Sequence, residues 1–221
     1  MRKPSTPRSV GVILTPTDLR RAIRMRNPPD LFELRLDALF ARSDEIKTTI
    51  RNLRAPLIIT ARHPREGGLN QLFAQQRRSL LLRFLPDAAY VDIELRSACI
   101  FEAVLQEARA KNLRTIVSFH DFQETPSRSR LGEIARRARS LGADFLKVAT
   151  RTDKPSQLTR LRDFFLGEWP GMEISAMGVG RLGRISRIEF AKAGSALNYA
   201  HLGNPQVKGQ LSITQLRRIL T

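Results

Sequence analysis

The 221-residue sequence predicts an α/β fold, a single-domain (β/α)8 or TIM barrel over residues 1–221, on three observations. Eight short apolar runs of strand character alternate with eight amphipathic stretches of helical character. Charged residues gather at one end of nearly every strand-like run, while the run interiors are apolar. The competing open doubly wound sheet usually needs only about five or six strands. Neither its Gly-x-Gly-x-x-Gly signature nor a Walker A sequence is present.

The strand-like runs fall at residues 10–14, 31–37, 56–61, 89–95, 114–120, 144–150, 173–177 and 196–200. Helical periodicity fills 18–26, 44–53, 71–85, 100–111, 130–141 and 155–165, a shorter stretch near 187–192, and 214–220. Thr17-Asp18 and Ser43-Asp44 read as helix caps, and Ser212 precedes the last helix. Ala55-Pro56, Pro86-Asp87 and Leu141-Gly142 break the chain ahead of strands. No low-complexity segment or linker divides it.

Composition narrows the class. A hydrophobic share of 42% with 27% charged residues is ordinary for a globular protein. No apolar run approaches the roughly 20 residues that cross a bilayer. The basic leading segment, residues 1–9, is followed only by the short run 10–14, which reads as a strand and not as a signal core. A single cysteine, Cys99, excludes an intramolecular disulfide and fits a reducing cytoplasm. Nothing basic is arranged around it in sequence, so it reads as a small core residue. The net charge of +17 raises nucleic-acid binding as an alternative. The excess, however, is spread over helices as Arg20-Arg21, Arg77-Arg78, Arg136-Arg137 and Arg217-Arg218, without zinc-finger spacing or an aromatic-interleaved basic tract. Solvated helix faces account for it more simply.

In a barrel of this kind, reactive groups cluster at the C-terminal ends of the strands. Those ends carry Glu33, Arg35 and Asp37; Arg62; Asp92 and Glu94; His120 and Asp121; and Lys147; Arg187 follows strand seven. Alone, a lysine in an apolar strand reads as an edge residue or an ion-pair partner. Beside His120 on the adjacent strand, Lys147 reads as a nucleophile. A buried amine near another cation can attack a ketone and form a Schiff base, whose iminium acidifies the neighbouring carbon. A histidine can take that proton and pass it to a leaving hydroxyl. The chemistry implied is elimination or carbon–carbon cleavage next to a carbonyl. Arg35, Arg62 and Arg187 are candidates to grip a carboxylate or phosphate. Glu94 and Asp37 read as internal ion-pair partners, and Asp92 and Glu94, two residues apart, share the barrel interior. No metal or cofactor is required, and the histidines His63, His120 and His201 lack ligand spacing.

Seven blocks carry a family resemblance: Glu33-Leu34-Arg35-Leu36-Asp37, Thr60-Ala61-Arg62 with Glu66-Gly67-Gly68, Val91-Asp92-Ile93-Glu94, Ser118-Phe119-His120-Asp121-Phe122, Lys147-Val148-Ala149, Gly183-Arg184-Ile185-Ser186-Arg187 and Gly209-Gln210. In order and spacing they resemble type I 3-dehydroquinate dehydratase, a (β/α)8 barrel of the shikimate pathway that converts 3-dehydroquinate to 3-dehydroshikimate. The resemblance implies that Lys147 forms the imine with the C3 ketone and that His120 moves the C2 proton to the departing C1 hydroxyl. It implies that Glu66 orients His120, that Arg187 holds the substrate carboxylate, and that Gln210 closes over it. Glu33, Arg35 and Arg62 would contact the ring hydroxyls, supported by Asp92. A homodimer is implied as well.

Two departures from the family pattern stand out. Gln206 replaces a common serine or threonine, and Lys208 a proline, in the lid 204–208. Gln206 could still bond the carboxylate but is bulkier, so Gln206→Ser is expected to lower KM if the glutamine crowds the closed loop. Val179 and Tyr199 stand where methionine and phenylalanine are frequent, both tolerable changes in a pocket wall. The alternatives are another Schiff-base barrel enzyme of aldolase type, for which Gly178, Gly180 and Gly183 offer a phosphate loop, and a non-catalytic, nucleic-acid-binding relative.

Overall fold

Side-chain alternation along eight parallel strands decides what fills the interior of this protein, seen in a computed structural model that describes residues 6–220. Residues 1–5 of the basic leading segment, and residue 221, lie outside the described residues. The strands are β1 (Arg8–Ile13), β2 (Leu31–Arg35), β3 (Leu57–Thr60), β4 (Tyr90–Glu94), β5 (Arg114–Asp121), β6 (Phe145–Arg151), β7 (Glu173–Val179) and β8 (Leu197–His201). Between and after them run α1 (Pro16–Arg24), α2 (Ser43–Thr49), α3 (Ala74–Phe84), α4 (Glu102–Ala110), α5 (Arg128–Ser140), α6 (Pro155–Phe165) and α7 (Gly183–Lys192). A two-residue strand β9 (Leu211–Ser212) beside β8 leads into α8 (Ile213–Leu220).

Neighbouring strands pair in parallel in the order β7-β6-β5-β4-β3-β2-β1-β8, giving the TIM-barrel fold. The seam between β7 and β8 is held differently. There the Ala196 N–H donates to the Ile174 carbonyl at 3.0 Å, and the Ser175 hydroxyl donates to the Leu197 carbonyl. The Ser195 hydroxyl oxygen accepts from the Ala176 N–H at 3.3 Å. Serine hydroxyls thus stand in for ladder bonds where the strands part.

Inward residues recur with period two. At the N-terminal end of the barrel they are apolar: Val10, Leu31, Ile58, Tyr90, Ile116 and Phe145. Burial of each large apolar side chain here is worth about 1.5–3 kcal/mol, so this plug anchors the ring. Arg8 and Arg114 cover the Phe145 ring at 5.0 and 4.6 Å. One step up, the inward positions turn polar: Glu33, Thr60, Asp92, Ser118 and Lys147, all buried. The outward positions, among them Ile59, Val91, Ile93, Leu146 and Val148, pack against the helices.

All eight expected strands and helices are present, with local differences. The α1 cap is Thr15, not Thr17: its Oγ1 accepts from the Asp18 N–H, and Asp18 Oδ2 accepts from the Thr15 N–H, both at 3.0 Å. Pro16 then occupies the first turn, where a missing N–H costs nothing. Ser43 opens α2 as its first residue and makes no capping bond from the preceding position. Helix α3 starts at Ala74 because Asn70 and Gln71 adopt positive φ of 60° and 45°, ending any helix there. Two surface expectations are corrected. Cys99 is exposed. Arg77 is no solvated helix arginine: it is 1% exposed, pairs with Glu94 Oε2 at 3.2 Å, donates to Ser97 Oγ at 2.9 Å and lies 4.8 Å over Phe101. No described helix is long and apolar enough to cross a membrane.

Candidate active site

The register of β5 against β6 sets Ser118 beside Lys147 and His120 beside Ala149. Because residues two apart share a face, Ser118 and His120 both point inward with Lys147. Lys147 is 4% exposed, and its Nζ donates to Glu33 Oε1 at 2.9 Å and Asp92 Oδ2 at 3.0 Å. It also sits 3.8 Å above the Tyr199 ring. A buried ammonium is tolerable here because two carboxylates and an aromatic face replace its water. Burial alone would raise Asp92, but Arg62 and Lys147 outweigh it and hold that carboxyl well below the ordinary carboxylate range.

Arg62 is the hub of the polar layer. Its Nη1 donates to Asp92, Glu94 and Ser118 at 3.3, 3.3 and 2.5 Å, and its Nη2 to Asp92 at 2.7 Å. Glu33 lies 3.7 Å away. The expected role of Arg62 as a free grip on substrate is therefore narrowed: it reaches the cavity wall, but its guanidinium is spent on balancing three carboxylates. Arg35 is similarly engaged, bidentate to Asp37 at 2.9 and 2.8 Å and bonded to the Gly67 carbonyl at 2.9 Å. Glu94 and Asp37 serve as ion-pair partners in this layer.

Glu66 arrives from a loop, and backbone geometry explains why it points inward. A single 3-10 turn at Pro64–Glu66 ends on Gly67 at φ 83°, a left-handed conformation that favours glycine. A Cβ on Gly68 would lie 2.2 Å from the Arg62 carbonyl oxygen. The two glycines let the loop fold back on β3, and Glu66 becomes 3% exposed. Its Oε2 accepts the His120 backbone N–H at 3.0 Å and lies 2.8 Å from His120 Nδ1. A carboxylate oxygen there requires Nδ1–H to donate, which leaves Nε2 as the lone-pair nitrogen. Burial, then Arg62 and Lys147, hold the imidazole well below its usual value, so it is neutral near pH 7. Burial also lifts Glu66, up to about 7, against the pull of Arg62 and Arg96.

Arg187 enters from α7 and is 8% exposed. Its Nη1 donates to the Tyr199 carbonyl at 3.3 Å, its Nε has no partner, and no carboxylate within the described residues pairs with it. Burial pushes it down to about 10, still cationic at neutral pH. A buried guanidinium without a counter-ion is a receptor for an anion. Across the mouth, Gln210 Nε2 donates to Gln206 Oε1 at 2.9 Å, and the Gln206 N–H donates to Gln210 Oε1 at 2.8 Å.

These groups line one cavity of about 390 Å³ that contains Glu33, Arg35, Arg62, Glu66, His120, Lys147, Arg187, Gln206 and Gln210, with Asp92 just behind Lys147. Its apolar walls come from Leu14, Phe122, Met177, Val179 and Val207. The proposed phosphate loop does not form. The Gly178 N–H is taken by Ser186 Oγ at 2.9 Å, that of Gly180 by the Lys208 carbonyl at 3.2 Å, and that of Gly183 by the Gly180 carbonyl at 3.1 Å. Amides bonded internally offer no nest for an anion. Sequence reasoning missed Arg96, whose Nε donates to Glu66 Oε1 at 2.9 Å, and Tyr199 as the surface under Lys147.

Known proteins resemble this chain along most of its length. The family model described as type I 3-dehydroquinase matches residues 15–221. A protein named 3-dehydroquinate dehydratase from Pyrococcus abyssi is 31% identical over 218 residues, covering 96% of each chain. Its namesake from Methanothermobacter thermautotrophicus is 33% identical over 193 residues, 86% of this chain and 84% of the relative. The crystal structure of 3-dehydroquinate dehydratase from Geobacillus kaustophilus superposes with a TM-score of 0.85 at 26% identity, covering 97% of this chain and 90% of that one. The Clostridium difficile type I enzyme, at 23% identity and a TM-score of 0.86 over 98% and 92% of the two chains, shares the fold. By the match that runs from residue 15 to the last residue, and by relatives above 30% identity along most of its length, this chain belongs to the type I 3-dehydroquinase family.

Proposed function

We infer that this protein is a 3-dehydroquinate dehydratase, a hydro-lyase that removes water from 3-dehydroquinate to give 3-dehydroshikimate in the shikimate pathway. The observation that carries the reading is Lys147 Nζ on the cavity wall with the His120–Glu66 pair beside it. Lys147 attacks the C3 ketone, and loss of water gives the iminium. His120 Nε2 removes the C2 proton, and the electron pair moves into the enamine. That electron pair then expels the C1 hydroxyl, which leaves as water with the proton His120 carries. Hydrolysis frees the amine. Glu33 and Asp92, already at the nitrogen, balance its charge as ammonium and as iminium. Arg187 takes the substrate carboxylate as its missing counter-ion. Incubation with 3-dehydroquinate, followed by the absorbance of the conjugated enoate, tests the reading; no product at any practical enzyme concentration would defeat it.

The pair works with Glu66 ionised and His120 neutral, so kcat/KM falls as pH drops through the pair's first protonation. With Glu66 lifted to about 7, that limb is expected near neutrality. Glu66→Gln removes a negative charge beside the imidazole and makes His120 less basic still. The variant should lose activity by about 10²-fold, with its acid limb moved to lower pH. A pH–rate profile whose limb stays put or moves up would contradict the assignment.

In the lid, Gln206 lines the cavity and holds Gln210 through two amide hydrogen bonds, which favours a supporting role over crowding. Serine is too short to accept from Gln210 Nε2. Gln206→Ser is therefore expected to raise KM, by about two- to tenfold for the loss of one such bond. Steady-state kinetics reads this directly, and a lowered KM would restore the crowding view.

A homodimer in the cytoplasm accompanies this reading. An exposed thiol such as Cys99 persists in a reducing compartment. Light scattering on the purified chain tests the assembly.

A further inference from the structure

Glu66 is held from two sides, and only one of them belongs to the reacting groups. Its Oε2 is occupied by His120, through the backbone N–H and Nδ1. Its Oε1 is occupied by Arg96 Nε at 2.9 Å. Arg96 stands in the 3-10 turn Leu95–Ser97 that follows β4. Both neighbours in that turn are buried, Leu95 in the core and Ser97 beneath the Arg77 guanidinium at 2.9 Å, so the backbone carrying Arg96 is pinned. The Arg96 side chain is 43% exposed, while the carboxylate it touches is 2% exposed. This geometry leads from solvent to the base through one ion pair.

We propose that Arg96 is a positioning residue for the reaction: its Nε–H on Glu66 Oε1 keeps the carboxylate ionised and turned so that Oε2 fixes the His120 ring. The proposal rests on reading His120 as the base. The charged and titratable groups facing the pair are Arg62 from the end of β3, Glu94 from β4, Arg96 from the turn after β4, and, on the His120 side, Lys147 from β6, Asp92 from β4 and Arg35 from β2. Arg62 and Lys147 are committed to other carboxylates. Glu94 is an anion and opposes ionisation of Glu66. Arg96 is thus the one cation that donates directly to Glu66 among the described residues. Removing it raises the affinity of the Glu66–His120 pair for a proton, whichever site the proton occupies.

Arg96→Gln should therefore move the acid limb of kcat/KM upward by about half a pH unit to one unit, the size left to a half-exposed cation after screening. The ratio of wild-type to variant kcat/KM should grow as pH falls, reaching about three- to tenfold at the acid end, the same shift expressed as a rate. Arg96→Lys should recover part of the shift, and Arg96→Gln placed on Glu66→Gln should add none. A loss equal at every pH, or a limb that does not move, would overturn the proposal. A second readout needs no substrate: the imidazole ¹⁵N signals of His120, assigned with His120→Asn, should titrate at higher pH in Arg96→Gln. Should the wild type fail to turn over 3-dehydroquinate, the dehydratase reading falls, and this titration alone decides the role of Arg96. An unmoved titration would reject it.

Discussion

Lys147→Ala is expected to abolish turnover, with kcat reduced on the order of 10⁴-fold or more, because it removes the imine on which every later step depends. Without the iminium, the C2 proton must leave next to an ordinary ketone, and His120 alone cannot supply the missing electron sink. Borohydride added with substrate should fix one adduct to the wild type, located by mass on Lys147, and none to the variant. The substitution also strips Glu33 and Asp92 of a buried partner, a loss that costs about 3–5 kcal/mol when a buried pair is broken. Lys147→Arg separates chemistry from folding. It keeps a cation between the two carboxylates but has no nucleophilic amine, and it should be equally inactive while its thermal unfolding stays nearer the wild type. Activity surviving in either variant would remove the imine from the mechanism and leave the substrate assignment standing.

The second large effect is predicted for His120→Asn. The amide can accept from neighbours but cannot shuttle a proton, so kcat should fall by about 10³–10⁴-fold, the upper range for a group that serves as both base and acid. Imine formation at Lys147 does not need the C2 proton to move. The two variants therefore differ in a second observable: borohydride should still trap substrate on His120→Asn. An unlabelled protein would place His120 in the formation of the imine and not after it. Both experiments turn on the register that sets β5 beside β6, since a slip of one residue would direct His120 and Lys147 to opposite faces.

Much of this candidate site is legible in the sequence alone. Lys147, His120, Glu33, Asp92 and Arg62 announce themselves because charge inside an apolar strand is costly, and costly residues at strand ends converge in a barrel. Glu66 is different. It lies in a loop whose inward turn depends on the positive φ of Gly67 and the space at Gly68, so only the resemblance singled it out. Arg62 illustrates the reverse case: its position was legible, its employment was not. Whether a guanidinium is free to bind substrate depends on how many carboxylates reach it, and the three around Arg62 come from two other strands, β2 and β4. A helix arginine such as Arg77 reads as surface; its burial over the Phe101 ring and its pairing with Glu94 depend on neighbours elsewhere in the chain.

The lid and the seam make the same division. Gln206 and Gln210 are four residues apart in a loop with no periodicity, and nothing in their spacing dictates that each amide answers the other. The open ladder between β7 and β8, bridged by Ser175 and Ser195, could not be inferred from two well-formed strand patterns. By itself, the sequence determined the order of strands and helices, the inward face of each strand and the chemical types gathered at the barrel mouth, because hydrophobic period and residue cost are local properties. Tertiary structure alone decided which charges neutralise one another, which are left over, and how Glu66 is aimed. Pairing of charges depends on distances between residues remote in the chain, and among the described residues Arg187 is left without a counter-ion while Arg62 has three only once the barrel is closed.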